Sequence, residues 1–249
     1  MAEMVKEYEF FVHTNAVDCN DVIKPYVILD YFQDIAAIHA DELGVGYDFM
    51  KERNLAWVIL YQHFEIMNLP PYLENVNVIT WPKPNRRLEF EREYLITDKN
   101  NNVCVKGISN WVVIDMENRG LVRTEQIKFN GEYRSFTNYE EKCKRKLNLD
   151  KENIEKYFEY RVSYADLDHN GHMNNSKYLN IVFDLLPLYG TKKFIKNVEI
   201  AFVKEARYND VIKIGYYRCS NNEEAYIGFV NEEVCFECLI GVDEKWKNF

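Results

Sequence analysis

Apolar and polar residues alternate over several stretches of this chain. Val76 and Val78 alternate with Asn75 and Asn77 in the run up to Thr80, and a similar period runs from Leu88 through Phe90 and Tyr94 to Ile96. A period of two predicts strands with one covered face. Asn100 to Asn102 marks a turn before Val103 to Met116, a longer strand with Trp111 near its end. Later in the chain, Val198 to Phe202, Val211 to Arg218, Ala225 to Phe229 and Val234 to Val242 read as strands, with Asn221-Asn222 as a hairpin turn. Two segments change to helical spacing. The first runs from Lys24 or Pro25 to Ala40 and puts Ile28, Phe32, Ile35 and His39 on one face. Pro25 suits a first helical turn, and Gly44 closes the segment. The second runs from Asn175 to Leu186, where Pro187 stops it. Its apolar residues, among them Tyr178, Leu179, Val182, Phe183 and Leu185, cover most of its circumference, which predicts a helix buried by a curved sheet.

The helices and strands recur. Val12, Asp18, Asn20, Leu29 and Asp34 match Val162, Asp168, Asn170, Leu179 and Asp184 at one shift of 150 positions. Each half then reads as a strand, an Asp-x-Asn loop, a buried helix and antiparallel strands. Asn130 to Lys156, rich in Lys, Glu and Asn, separates them as a surface linker with one or two short helical turns. The expected division is residues 1–129, a linker over 130–157, and 158–249.

The chemistry concentrates at the entry to the second helix. Asp168, Asn170 and His172 follow at every second position, with Gly171 suited to a turn and Asn174 or Asn175 suited to an N-cap. A loop there lets a carboxylate, an amide and an imidazole converge on one atom. The unpaired N–H groups of a helix N-terminus can stabilise an oxyanion beside them. Asp168 or His172 could then activate water, or the carboxylate could attack directly, with Asn170 orienting the attacking group. In the first half Val22 stands in place of His172, so the reactive groups belong to the second half. His169, at odd spacing, is expected to point away, and His13, His39 and His63 are isolated.

The stretch from Arg161 to Tyr178, with Asp166, Asp168, Asn170, His172, Asn174, Asn175 and Tyr178 in place, resembles the signature segment of the acyl-ACP thioesterases. Thr80-Trp81, Arg86-Arg87, Ser109 to Val112 and Arg119 occur in that family's order, and Lys204-Glu205-Ala206 falls where the family has a Glu. The resemblance implies an α+β fold of two tandem hotdog domains, each a long helix wrapped by a curved antiparallel sheet. It also implies hydrolysis of acyl-ACP thioesters to free fatty acid in fatty acid biosynthesis, with Asp168, Asn170, His172 and Glu205 as catalytic residues. The acyl chain would lie in the N-terminal domain, where Trp57, Met67, Trp81 and Trp111 are candidate lining residues. Plant relatives can carry Cys where Ala206 stands, so a thiol nucleophile is excluded there and a carboxylate and water mechanism is favoured. Two other readings share the fold: a hotdog acyl-CoA thioesterase and a non-catalytic acyl-sensing module.

Composition narrows the partners. With 40 acidic against 31 basic residues the formal charge is −9, which argues against nucleic acid or an anionic membrane. The expected partner, acyl carrier protein, is itself acidic and would need a local basic patch. Lys142 to Lys146, Lys192-Lys193 with Lys196, and Arg86-Arg87 are the candidates. No apolar run reaches the ~18 residues of a membrane helix, and residues 1–9 lack a secretory signal's apolar core. The six cysteines are too few for a disulfide scaffold at this length and read as reduced, cytoplasmic residues. Cys235 and Cys238 have C-x-x-C spacing without a second pair, no metal-ligand cluster or phosphate loop occurs, and no cofactor is implied. A homodimer is compatible with the chain, although a double hotdog already supplies the pairing that single hotdogs obtain by dimerising.

Overall fold

The computed structural model describes residues 3–68, 70, 72–140, 142–191 and 193–244. The chain divides into two compact units, Met1–Cys143 and Lys144–Phe249.

In the first unit, β1 (Lys6–Phe11) leads into α1 (Pro25–Glu42) and the short α2 (Tyr47–Glu52). There follow β2 (Leu55–Ile66), β3 (Asn75–Pro82), β4 (Phe90–Thr97) and β5 (Val103–Asp115). Within the unit the strands lie antiparallel in the order β1, β3, β4, β5, β2. Pro25 opens α1 with its φ already set, as the sequence predicts. Ile28, Phe32, Ile35 and His39 are all buried on its sheet-facing side. Phe32 stacks on Tyr94 of β4 at 4.3 Å and meets Phe64 of β2 edge-on at 6.3 Å. A Cβ on Gly107 of β5 would come within 2.5 Å of that Phe32 ring, so only glycine lets helix and sheet approach this closely.

The second unit repeats the plan. It holds β6 (Lys156–Arg161), α3 (Asn175–Leu185), β7 (Phe194–Phe202), β8 (Val211–Ser220), β9 (Glu223–Val230) and β10 (Glu233–Asp243). The strand order is β6, β8, β9, β10, β7, position for position that of the first unit. Asn174 caps α3, and the helix stops at Leu185, two residues before Pro187. Asp184 is the one exposed residue of α3, in line with a helix apolar on several sides. Tyr178 meets Phe202 of β7 and Phe236 of β10 edge-on, at 5.8 and 5.3 Å. Each fully buried side chain of this size contributes about 1.5–3 kcal/mol. Each unit is thus a helix laid on a five-stranded antiparallel sheet, the hotdog arrangement.

Two elements lie outside the sequence pattern. β2 begins with an unbroken apolar run, Leu55 to Tyr61, which hides its period, and α2 is only six residues long. The linker also differs from a loose surface connection. It has little regular structure beyond a 3-10 turn at Lys151–Asn153, yet buried carboxylates hold its backbone. In the first unit Glu93 accepts from the Asn138 N–H at 2.7 Å and Glu91 from the Cys143 N–H at 3.1 Å. In the second, Glu237 accepts from the N–H groups of Leu147, Asn148 and Leu149 at 2.9, 3.2 and 3.1 Å. Glu91, Glu93 and Glu237 are all buried. Backbone without a strand partner still needs acceptors, and a carboxylate offers about four lone-pair sites.

Candidate active site

The site is assembled where β6 hands over to α3. Past β6, Ser163 starts a 3-10 turn over Tyr164–Asp166. Asp166 accepts from the Ser163 N–H and hydroxyl, both at 2.7 Å, and from the Tyr160 hydroxyl at 2.8 Å. Burial pushes the Asp166 carboxyl up, but the Ser163 and Tyr160 hydrogen bonds outweigh it and hold the group below its ordinary value. Asp166 therefore stays ionised as a structural anchor. Its carbonyl also receives the Asn174 N–H at 2.8 Å, tying the turn to the start of α3.

Residues 168–172 form a tight turn between these two points. The Asp168 N–H donates to the His172 carbonyl at 2.8 Å, and the Gly171 N–H to the Asp168 carbonyl at 3.1 Å. Gly171 takes φ +78, which glycine adopts without strain. One carboxylate oxygen of Asp168 accepts from the N–H groups of Asn170 and His172, at 2.8 and 3.1 Å. Asp168 is half-buried, whereas His169 and Asn170 are exposed at the tip of the turn.

The partner of His172 comes from across the sheet. After β7 the chain turns back, and Arg207 pairs with His172 as an isolated antiparallel bridge. The Met173 N–H donates to the Ala206 carbonyl, and the Ala206 N–H donates to the Tyr178 hydroxyl, both at 2.9 Å. A carboxylate oxygen of Glu205, the residue before Ala206, lies 3.3 Å from Nε2 of His172. Their side chains are 21% and 32% exposed, so the pair is sheltered yet open to a small reactant.

The structure thus joins His172 to Glu205, commits one oxygen of Asp168 to the turn, and leaves Asn170 at its tip. The N-terminus of α3 is already occupied in part. Asn174 accepts the Ser176 N–H at 3.0 Å through its side chain and the Lys177 N–H at 3.0 Å through its carbonyl. These two N–H groups serve the cap, so they are not free to meet an oxyanion.

Tyr178 is the residue that the sequence pattern undervalued. It reads as part of an apolar face, but a buried tyrosine hydroxyl needs a polar partner, and that need was the available signal.

Two other histidines, both in the first unit, have partners of their own. His39 is buried with Nδ1 2.9 Å from the Arg92 guanidinium, and burial followed by the Arg92 charge pushes its pKa down to about 3. His63 sits 3.4 Å from Glu65 in β2. Of the candidate lining residues, Trp81 is buried, Trp57 and Trp111 are half-buried, and Met67 is 49% exposed just past the end of β2. Two of the basic patches are met by acids: Lys144 pairs with Glu199 at 2.6 Å and Lys196 with Asp243 at 4.0 Å. Arg86 of the third lies 3.7 Å from Glu91. Lys192 lies outside the described residues. The six cysteines are free thiols. Burial raises the thiols of Cys235 and Cys238, the former to about 12, so both resist the ionisation that redox or metal chemistry needs. Among the described residues no three His, Cys, Asp or Glu side chains gather as metal ligands.

Known proteins share this architecture. An acyl-ACP thioesterase from Bacteroides thetaiotaomicron superposes with a TM-score of 0.83 at 25% identity, covering 96% of this chain and 98% of that one. A 12:0-ACP thioesterase from Umbellularia californica gives the same TM-score at 19% identity over 98% and 99% of the two chains, a likeness of fold. In sequence, the chloroplastic oleoyl-acyl carrier protein thioesterase of Coriandrum sativum is 26% identical over 223 residues, or 82% of this chain. The chain spans about 60% of the length of that relative. The acyl-ACP thioesterase N-terminal domain model matches residues 3–128 and the C-terminal domain model matches residues 148–239. With both halves accounted for in this way, the chain belongs to the acyl-ACP thioesterase family.

Proposed function

We propose that the protein hydrolyses acyl-ACP thioesters to free fatty acid and acyl carrier protein, and that His172 and Glu205 carry the reaction. The observation behind this reading is the 3.3 Å approach of a carboxylate to an imidazole at the helix entrance. A thioester carbonyl needs an activated water and a proton for the departing sulfur. In the proposed cycle Glu205 takes a proton from water as the oxygen adds to the carbonyl carbon. The C–S bond then breaks, and the imidazolium of His172 gives its proton to the sulfur. Glu205 returns its proton to His172 across their contact, which resets the pair. The balance is one water consumed, and one acid and one thiol released.

Asp168 supports this arrangement by fixing the turn that carries His172. Asn170, exposed beside it, is the group proposed to orient the attacking water or the thioester carbonyl. The N-terminal domain, residues 1–129, is proposed to receive the acyl chain, with 130–157 as linker and 158–249 as the catalytic domain. The cytoplasm is the proposed location of the reaction, as the reduced cysteines of the sequence suggest. Among the described residues no helix is long and apolar enough to cross a membrane. Sedimentation of the purified chain distinguishes a monomer from a homodimer.

The test is thiol release from a ladder of acyl-ACP and acyl-CoA thioesters presented to the purified protein. Cleavage of acyl-ACP in preference to acyl-CoA is the expected result. Preference for CoA would move the protein to an acyl-CoA thioesterase, and cleavage of neither would leave an acyl-binding module.

A further inference from the structure

Glu205 sits on a segment without regular structure, between the end of β7 at Phe202 and the turn at Arg207. A carboxylate that must stay within hydrogen-bond reach of His172 needs its backbone held. Both peptide groups of the next residue are held. The Ala206 carbonyl is bound by Met173, and the Ala206 N–H is bound by the Tyr178 hydroxyl, each at 2.9 Å. Ala206 itself is fully buried.

Tyr178 is well placed to act as a fixed post. It is the fourth residue of α3, 3% exposed, with its ring boxed edge-on by Phe202 and Phe236. Burial raises its hydroxyl well above the ordinary tyrosine value, so the oxygen stays neutral and keeps the same hydrogen-bonding role. At the matching fourth position of α1 the first unit has Ile28, also fully buried. An aliphatic side chain is therefore enough to seat this helix in such a sheet. The hydroxyl is an addition, and it appears in the unit that carries the imidazole.

We infer that Tyr178 is a positioning residue for the reaction: its hydroxyl holds the Ala206 peptide and thereby sets Glu205 against His172. This rests on the reading of the His172–Glu205 pair given above. Tyr178 touches neither reacting atom, so its effect must pass through Glu205.

The test uses the full chain with acyl-ACP and the variants Tyr178→Phe, Glu205→Gln, their double and Phe202→Leu. Tyr178→Phe removes one oxygen and keeps the ring. It is expected to lower kcat by about tenfold or more, since small misplacements of reacting groups are costly, with KM within about twofold. On the Glu205→Gln background the same change is expected to alter kcat by less than about twofold, because the group it positions has already gone. Phe202→Leu loosens the same aromatic contact but leaves the hydroxyl, and should keep kcat even where its Tm falls as far. The inference is overturned if Tyr178→Phe keeps wild-type kcat, if the two losses multiply in the double variant, or if Phe202→Leu loses as much kcat. If Tyr178→Phe does not fold, hydrogen exchange of the wild-type Ala206 amide decides. Protection like that of β7 supports the tether, and loop-like exchange overturns it. A Glu205→Gln enzyme with full turnover would instead remove the reading of the site itself.

Discussion

The turn before α1 and the turn before α3 are built alike, down to individual hydrogen bonds. Asp18 accepts from the N–H groups of Asn20 and Val22 at 2.8 and 3.1 Å, and Asp168 accepts from those of Asn170 and His172 at the same two distances. The N–H of each aspartate donates to the carbonyl four residues on, at 2.8 Å in both. Each turn contains one residue at positive φ, Asp21 at 59 and Gly171 at 78. What differs is the side chains added to this frame. The second unit has His172 for Val22, Asp166 for Ala16, a side-chain cap from Asn174 where Lys24 makes none, and Tyr178 for Ile28. The Asp-x-Asn turn is therefore a frame common to both units, and the groups proposed to react are a layer on top of it. Of the three groups expected to converge, Asp168 gives one oxygen to the turn, Asn170 is exposed at its tip, and His172 meets a carboxylate from elsewhere in the chain.

Removing the imidazole should break the comparison most sharply. His172→Ala is expected to lower kcat for acyl-ACP by ~10²–10⁴-fold, the usual range for general acid–base groups, with circular dichroism unchanged. Val22 shows that this turn forms around an aliphatic side chain. Retained activity in the thiol-release assay would end the assignment.

The two aspartates come next. Asp18→Ala and Asp168→Ala each free two N–H groups, so both should destabilise the protein by a similar ~1–3 kcal/mol in urea unfolding. Only the second should reduce turnover. Asp168→Asn keeps an acceptor oxygen and should preserve stability, with a kcat loss smaller than that of His172→Ala. A loss as large would give Asp168 a share in the chemistry beyond the turn.

Acid should separate the units in another way. The pKa of His39 in the first unit falls from 6.5 to about 3 on folding. Between those values the unfolded chain binds the extra proton, so stability is full above about pH 6.5 and drains away as the pH falls towards 3. Wild-type Tm should decline from pH 7 to pH 5, whereas His39→Gln, which can still accept from Arg92, should be flatter over that window. Equal slopes would show that another group governs acid unfolding.

The smallest effect concerns the positive-φ residues. Gly171→Ala meets no atom within 4 Å and suffers only from its backbone angle, so a loss of roughly 0.5–1 kcal/mol is expected. Asp21→Gly should change stability by less, or raise it slightly, because its position already prefers glycine. Calorimetry on the pair tests whether the two turns are energetically interchangeable.

Much of this was readable in the chain. Pro25 and Asn174 mark where the helices begin, Pro187 bounds the end of α3, and period-two patterns locate most of the strands. His172 was legible because an imidazole replaces a valine between two otherwise similar turns. Glu205 was not legible from its own surroundings, where it looks like any carboxylate past a strand end; resemblance to a family singled it out. β2 escaped because a strand covered on both faces loses its alternation. The hold of Glu91, Glu93 and Glu237 on the linker escaped because acidic residues in alternating strands read as solvent-facing.

By itself the sequence determined the local events: where helices start and stop, where the chain turns, and that the turn of one half carries an imidazole where the other has a valine. These follow from φ preferences, capping and hydrophobic period, which act over a few residues. Tertiary structure decided which groups meet. Thirty-three positions of chain separate His172 from Glu205, yet the pairing of His172 with Arg207 and of Met173 with Ala206 brings the segment after β7 alongside the turn, and carboxylate and imidazole lie 3.3 Å apart. Contact across a sheet depends on strand register and packing, and no periodicity within a single segment encodes it.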